Sequence, residues 1–113
     1  MNHFVIHQGG QDEPLDRQHR YGDTAMRSLV DRLRRRGARP EQMLAKLYGG
    51  RLRREDGSDP GALNSYFAQA FLQDEGIRLI EASLGDHVAR WVTFHPVSGR
   101  VVLKETGDIT FAA

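Results

Sequence analysis

Cysteine is absent from this sequence. That excludes disulfides, thiolate metal sites and a cysteine nucleophile among these residues. Charge of one sign is not in excess either: the net value is +1, so bulk charge does not point to a polyanionic partner. No apolar run approaches the ~20 residues that span a bilayer. The N-terminus shows no basic stretch followed by an apolar one, so no signal peptide is visible and the expected location is the cytoplasm, without membrane insertion. Prolines number only four, and each falls where a loop, a turn or a helix start is read below. There is no internal repeat and no low-complexity segment.

What is present fits a folded domain. The chain has 113 residues, 39% of them hydrophobic and 27% charged, which suits one domain (1–113) with a modest core. Asn2 to His7 is rich in strand formers (Phe4, Val5, Ile6) and predicts a strand. Gln8 to His19 predicts a loop. Asp23 is placed to cap a helix over Thr24 to Arg36, with Met26, Leu29, Val30 and Leu33 as its buried stripe and Gly37 as its stop. Pro40 to Tyr48 is ambiguous: Met43, Leu44, Leu47 and Tyr48 fit a helical stripe and Pro40 suits a first helical position, so periodicity alone slightly prefers a helix. Gly49 to Ser58 predicts a polar loop. Asp59-Pro60 opens a second helix whose stripe is Leu63, Tyr66, Phe67, Ala70 and Phe71 and whose stop is Gly76. A strand over Ile77 to Ser83 follows. Val88 to His95 and Arg100 to Glu105 then form a hairpin around Pro96-Val97-Ser98-Gly99. The tail from Thr106 is weakly β-like. The order defines a mixed α/β layered domain.

Several residues carry potential chemistry. His3 and His7 are four apart, which on a strand is roughly 13 Å, too far for one ion. No His-x-x-x-His lies on a predicted helix, so no metal site and no cofactor is expected. The arginines at 32, 34, 35, 36 and 39, then 51, 53 and 54, could meet phosphates. Asp31, Glu41, Glu55 and Asp56 are interspersed, and no recognition-helix or RNA-binding signature accompanies them. A basic face of this kind suits an acidic protein partner equally well. No serine sits in a nucleophile-elbow pattern. Gly9-Gly10 and Gly49-Gly50 lack the surroundings of a phosphate cradle. The second pair reads as a sharp turn or a close approach to a site. Trp91 and Phe94 read as core or sheet-face residues.

One group of motifs resembles a known family. Arg20-Tyr21-Gly22-Asp23, Ala25-Met26, Arg36-Gly37-Ala38, Ala45-Lys46 and Gly49-Gly50 follow the order and spacing of the chemoreceptor glutamine deamidase family, CheD. Met1-Asn2-His3-Phe4 resembles the strand that bears the family's catalytic histidine. Gly61 and Asn64 resemble a Gly-x-x-Asn opening the next helix. Leu84-Gly85, Arg90, Phe94, Pro96 and Gly99-Arg100-Val101 resemble its C-terminal strand pair. The resemblance covers residues 1 to about 104.

It implies a layered α/β sandwich, a mixed β-sheet structure with two main helices on one side, and it turns 44–48 into a strand after a turn at 40–42. It implies His3 as general base to a cysteine that attacks a glutamine side-chain amide, with hydrolysis to glutamate. The substrates implied are methyl-accepting chemotaxis receptors, and a further partner is a phosphatase of the CheC type. In the family the cysteine and an assisting threonine precede the His3 strand. The expectation is therefore a domain truncated at its N-terminus relative to the family and inactive as given. Two other readings stand beside it: a non-catalytic receptor- or CheC-binding module of the same fold, and a small basic nucleic-acid-binding domain.

Overall fold

The structure is a computed structural model that describes residues 1–54 and 59–106, with Leu15 and Asp16 described in backbone only. The predicted tail beyond Thr106 and the end of the 49–58 loop lie outside the described residues. The elements are a short helix α1 (Leu15–Gln18), α2 (Gly22–Arg35), a 3-10 turn (Pro40–Gln42), β1 (Leu44–Gly49), α3 (Pro60–Glu75), β2 (Arg78–Leu84), β3 (Ala89–His95) and β4 (Arg100–Thr106). This is the mixed α/β fold expected, with α1 an addition inside the predicted 8–19 loop.

Both long helices end by the same device. Gly37 and Gly76 take positive φ angles of 97° and 72°, which an L side chain resists. The Ala38 and Ile77 amides then reach back to the Leu33 and Leu72 carbonyls at 3.0 and 2.9 Å, the closing bond of a Schellman motif. At α3 the motif also joins the core, because Leu72 and Ile77 are both buried. α3 begins as read: Asp59 caps it through the Gly61 amide at 2.9 Å, and Pro60 occupies the first turn.

The start of α2 differs from expectation. Its flanking residue is Tyr21, with no side-chain cap. The free amides of Gly22 and Asp23 instead donate to the Ile6 and His7 carbonyls at 2.7 and 2.8 Å. Backbone from the N-terminal segment therefore does the work assigned to Asp23, whose carboxylate accepts from the Thr24 amide at 2.9 Å. Leu33 also leaves the buried stripe and is exposed.

β1 and β2 pair in parallel, and the register jumps from Ala45↔Leu79 to Lys46↔Glu81, leaving Ile80 as a bulge. β3 and β4 form an antiparallel hairpin. Met26 and Val30 of α2, Leu72 of α3 and Ile77 make the buried cluster, with Ala45, Leu47 and Leu79 packed against it. The helices thus cover one face of β1–β2. Residues of β1 alternate between faces, and Lys46, on the other one, donates to the Gly99 carbonyl in the hairpin turn at 2.9 Å.

The segment read as a first strand forms no ladder among the described residues and bends at Val5, His7 and Gln8. It makes one isolated parallel bridge, Ile6↔Tyr21. Its composition favours extended backbone, but what lies beside it is a turn rather than a strand.

Candidate active site around His3

Residues 2 to 5 alternate as a strand would. Asn2 and Phe4 turn inward, while His3 and Val5 are exposed. The Asn2 amide nitrogen reaches the Ala25 carbonyl at 3.5 Å and Met26 Sδ at 3.4 Å. Phe4 meets Phe67 edge to face, ring centres 6.0 Å apart, a favoured geometry for aromatic pairs. The Val5 amide donates to the Arg20 carbonyl at 2.7 Å. The Val5 carbonyl accepts from Asn64 Nδ2 of α3 at 2.8 Å.

The tetrapeptide from Arg20 to Asp23 now has a physical reading. Arg20 accepts from Val5 and Ile6, and the Gly22 and Asp23 amides hold Ile6 and His7. A side chain on Gly22 would come within 2.8 Å of the His7 carbonyl and 2.9 Å of the Phe4 and Phe67 rings. A side chain on Gly10 would strike the Tyr21 ring at 2.3 Å. The motif is a cradle for the segment that presents His3.

His3 itself makes no hydrogen bond, ion pair or ring contact with another described residue. Its neighbours are anchored and its side chain is exposed. The other histidines go elsewhere. His7 lies 6.1 Å from the Phe67 ring, and His95 ends β3. His19 Nε2 stands 3.3 Å from Ser28 Oγ, but among the described residues no carboxylate orients its other nitrogen, as a nucleophile–base pair requires. Among the described residues, no group of three or more histidines and carboxylates is placed to hold a metal ion.

The loop from Gly49 wraps the start of α3. At Gly50, φ is +70°, and a Cβ would meet Ser65 Oγ at 1.8 Å; one at Gly61 would meet the Arg51 carbonyl at 2.2 Å. Asp59 is 1% exposed. It accepts from the Arg53 and Arg54 amides at 2.5 Å each, in addition to Gly61. Burial alone would raise its pKa, but the amides of Arg53, Gly61 and Arg54 outweigh it and hold the carboxyl below its ordinary value. The cap was legible in sequence; the grip on the loop was not.

Arg90 joins the two sheets. Its side chain is 5% exposed, and it donates to Ser83 Oγ at 3.0 Å and the Gly49 carbonyl at 3.3 Å. Glu105 lies 3.6 Å from Arg90 Nε and accepts from Ser83 Oγ at 2.5 Å. The enclosed Tyr48 hydroxyl makes no hydrogen bond of normal geometry with another described residue. Burial first, then the nearby Glu81 carboxylate, push its pKa up to about 12. The arginines at 32, 34, 35 and 36 are exposed at the end of α2. Arg27, one turn before them, pairs with Glu75 and lies over the Phe71 ring at 5.0 Å. Its hydrogen bond holds the Glu75 carboxyl below its usual value. Trp91 lies on the outer hairpin face and is 56% exposed, so it is a sheet-face residue rather than core.

Two helices on one face of a parallel strand pair, a hairpin reached by the other face and an anchored segment bearing an exposed histidine define a small layered α/β domain. Residues 7–105 match the family model described as CheD chemotactic sensory transduction. A probable chemoreceptor glutamine deamidase CheD of Caulobacter vibrioides (strain NA1000 / CB15N) is 45% identical over 101 residues, covering 89% of this chain and 54% of that protein. Proteins of the same description from Thiobacillus denitrificans and Zymomonas mobilis subsp. mobilis are 40% and 35% identical over 93% and 98% of this chain, and 54% and 70% of their own lengths. The chain belongs to the CheD family. It spans about half the length of the first two of these relatives, and His3 lies before the first residue that the family model matches. Among the described residues, no helix is long and apolar enough to cross a membrane.

Proposed function

We propose that this chain is the histidine-bearing part of a protein-glutamine deamidase acting on methyl-accepting chemotaxis receptors in the cytoplasm, with His3 as the general base. The names of its relatives support the reaction class. The observation that carries the role of His3 is its setting: an exposed imidazole, free of partners among the described residues, on a segment held at Asn2, Phe4 and Val5. In the reaction a thiol gives its proton to the imidazole and attacks the amide carbon. The imidazolium then protonates the departing ammonia, and water hydrolyses the thioester to glutamate. The thiol is not among these 113 residues. The reading therefore requires a thiol supplied from outside these 113 residues. A CheC-type phosphatase is the proposed regulatory partner.

The lack of cysteine favours one further reading, a binding module of the same fold that contacts receptor or phosphatase without chemistry. The experiment that separates them starts with the codons upstream of Met1. The longest open frame is expressed beside the 113-residue chain, and each is incubated with a receptor cytoplasmic fragment. Ammonia release and the amide-to-acid mass change on receptor glutamines are expected for the longer product alone. A longer product that carries a cysteine, binds the fragment and releases no ammonia establishes the binding module instead.

A further inference from the structure

Asn64 sits on α3, in the Gly-x-x-Asn spacing that begins at Gly61. Its Nδ2 donates to the Val5 carbonyl at 2.8 Å across 59 residues of sequence. The orientation of this amide is fixed by chemistry, because the reverse arrangement would set its oxygen against the Val5 oxygen. We propose that Asn64 is a positioning residue for His3, an inference that rests on reading His3 as the base.

Three observations carry it. First, no backbone hydrogen bond ties residues 1–4 to other described residues; the first tie after His3 is at Val5. Both polar groups of the Val5 peptide segment are engaged there, the amide by Arg20 and the carbonyl by Asn64. The Arg20 bond fixes one edge of the segment, and the Asn64 bond fixes its rotation about that edge. Second, the height of Asn64 is itself set. One turn earlier, Gly61 lets α3 seat directly on the loop backbone, since a Cβ there would stand 2.2 Å from the Arg51 carbonyl. Third, one turn later Phe67 of the same helix packs edge-on against Phe4, ring centres 6.0 Å apart. α3 thus grips the residues on the C-terminal side of His3 with one polar and one aromatic contact. The glycine and the asparagine of the motif act together: one allows close approach, the other uses it to aim the base. A base displaced by about 1 Å can lose on the order of 10²-fold in rate.

The test uses the cysteine-bearing product of the longest open frame and a receptor cytoplasmic fragment, with rates normalised to the folded fraction. Asn64→Asp keeps the shape, loses the donor and opposes two oxygens; Asn64→Ala removes the donor without repulsion. The expected result is a kcat lowered roughly 10–100-fold in Asn64→Asp and less in Asn64→Ala, with KM within about twofold. Adding Asn64→Asp to His3→Ala should leave the residual rate of His3→Ala unchanged, because a residue that acts through His3 has nothing left to position. A full kcat in both folded Asn64 variants, or a loss that adds to that of His3→Ala, overturns the inference. A wild-type rate in His3→Ala overturns instead the reading of His3 as base, and absence of turnover in the unsubstituted product overturns both.

Discussion

Replacing Gly61 with alanine sets two effects of opposite sign against each other. In a helix, alanine is favoured over glycine by up to ~1 kcal/mol, and less near the first turn. Gly61 does not have a positive φ, so backbone strain does not enter. Space decides the outcome. The new Cβ would lie 2.2 Å from the Arg51 carbonyl oxygen and 2.8 Å from two backbone carbons of Gly50 and Arg51. These are main-chain atoms and cannot rotate away. The loop must move by about 1 Å to restore contact distance, yet it is tied to Asp59 through the Arg53 and Arg54 amides and to the Asp86 carbonyl through Leu52 at 2.7 Å. Overpacking of this kind costs about 1–3 kcal/mol, which exceeds the propensity gain. A domain of this size loses about 4 °C in Tm per kcal/mol, so thermal denaturation followed by circular dichroism should show Tm lower by roughly 4–8 °C. Gly76→Ala is the control: no atom of the described residues lies within 4 Å of its Cβ, and its cost is that of the left-handed backbone, about 1–2 kcal/mol. An unchanged or raised Tm in Gly61→Ala refutes the seating of the loop on α3.

Two further predictions concern pH. The folded pKa of Asp59 is depressed, so its contribution to stability is full above the unfolded pKa and is lost as pH falls through the folded one. Urea midpoints of wild type and Asp59→Asn should therefore differ at pH 7 and converge below about pH 4; a gap that stays constant down to pH 3 contradicts the role of the carboxylate. The Tyr48 pKa is raised, so the fold favours the neutral phenol, and that contribution is present below the unfolded pKa near 10 and lost as pH rises toward about 12. An ultraviolet titration should show one tyrosine ionising later than the others, and Tyr48→Phe should remove that late step; loss of an early step instead refutes it.

The helix ends were legible because glycine and the Asp-Pro pair act locally: Gly37, Gly76 and Asp59-Pro60 lie where the sequence places them. The start of α2 was not, since the carbonyls that hold its free amides come from Ile6 and His7, and no local rule pairs them. The spacing of Met43, Leu44, Leu47 and Tyr48 satisfies a helix as well as a strand, so β1 became readable only through the family resemblance. The first segment shows the converse: Phe4-Val5-Ile6 is rich in strand formers, but a ladder needs a partner that propensity cannot supply. Of the candidate site, His3 was singled out by resemblance alone, and Asn2 and Phe4 came with it. The Asn64 bond to Val5 joins residues that only folding brings together.

The central claim, that His3 is the base of a glutamine deamidase, is tested most directly by one pair of measurements on the cysteine-bearing product: ammonia release and Tm of wild type beside His3→Ala. An exposed imidazole without partners among the described residues adds little to the fold, so Tm should change by no more than a few degrees. Loss of the base should lower the deamidation rate by about 10²–10⁴-fold. A His3→Ala variant that keeps a near-full rate, or that loses activity only because it unfolds, contradicts the account.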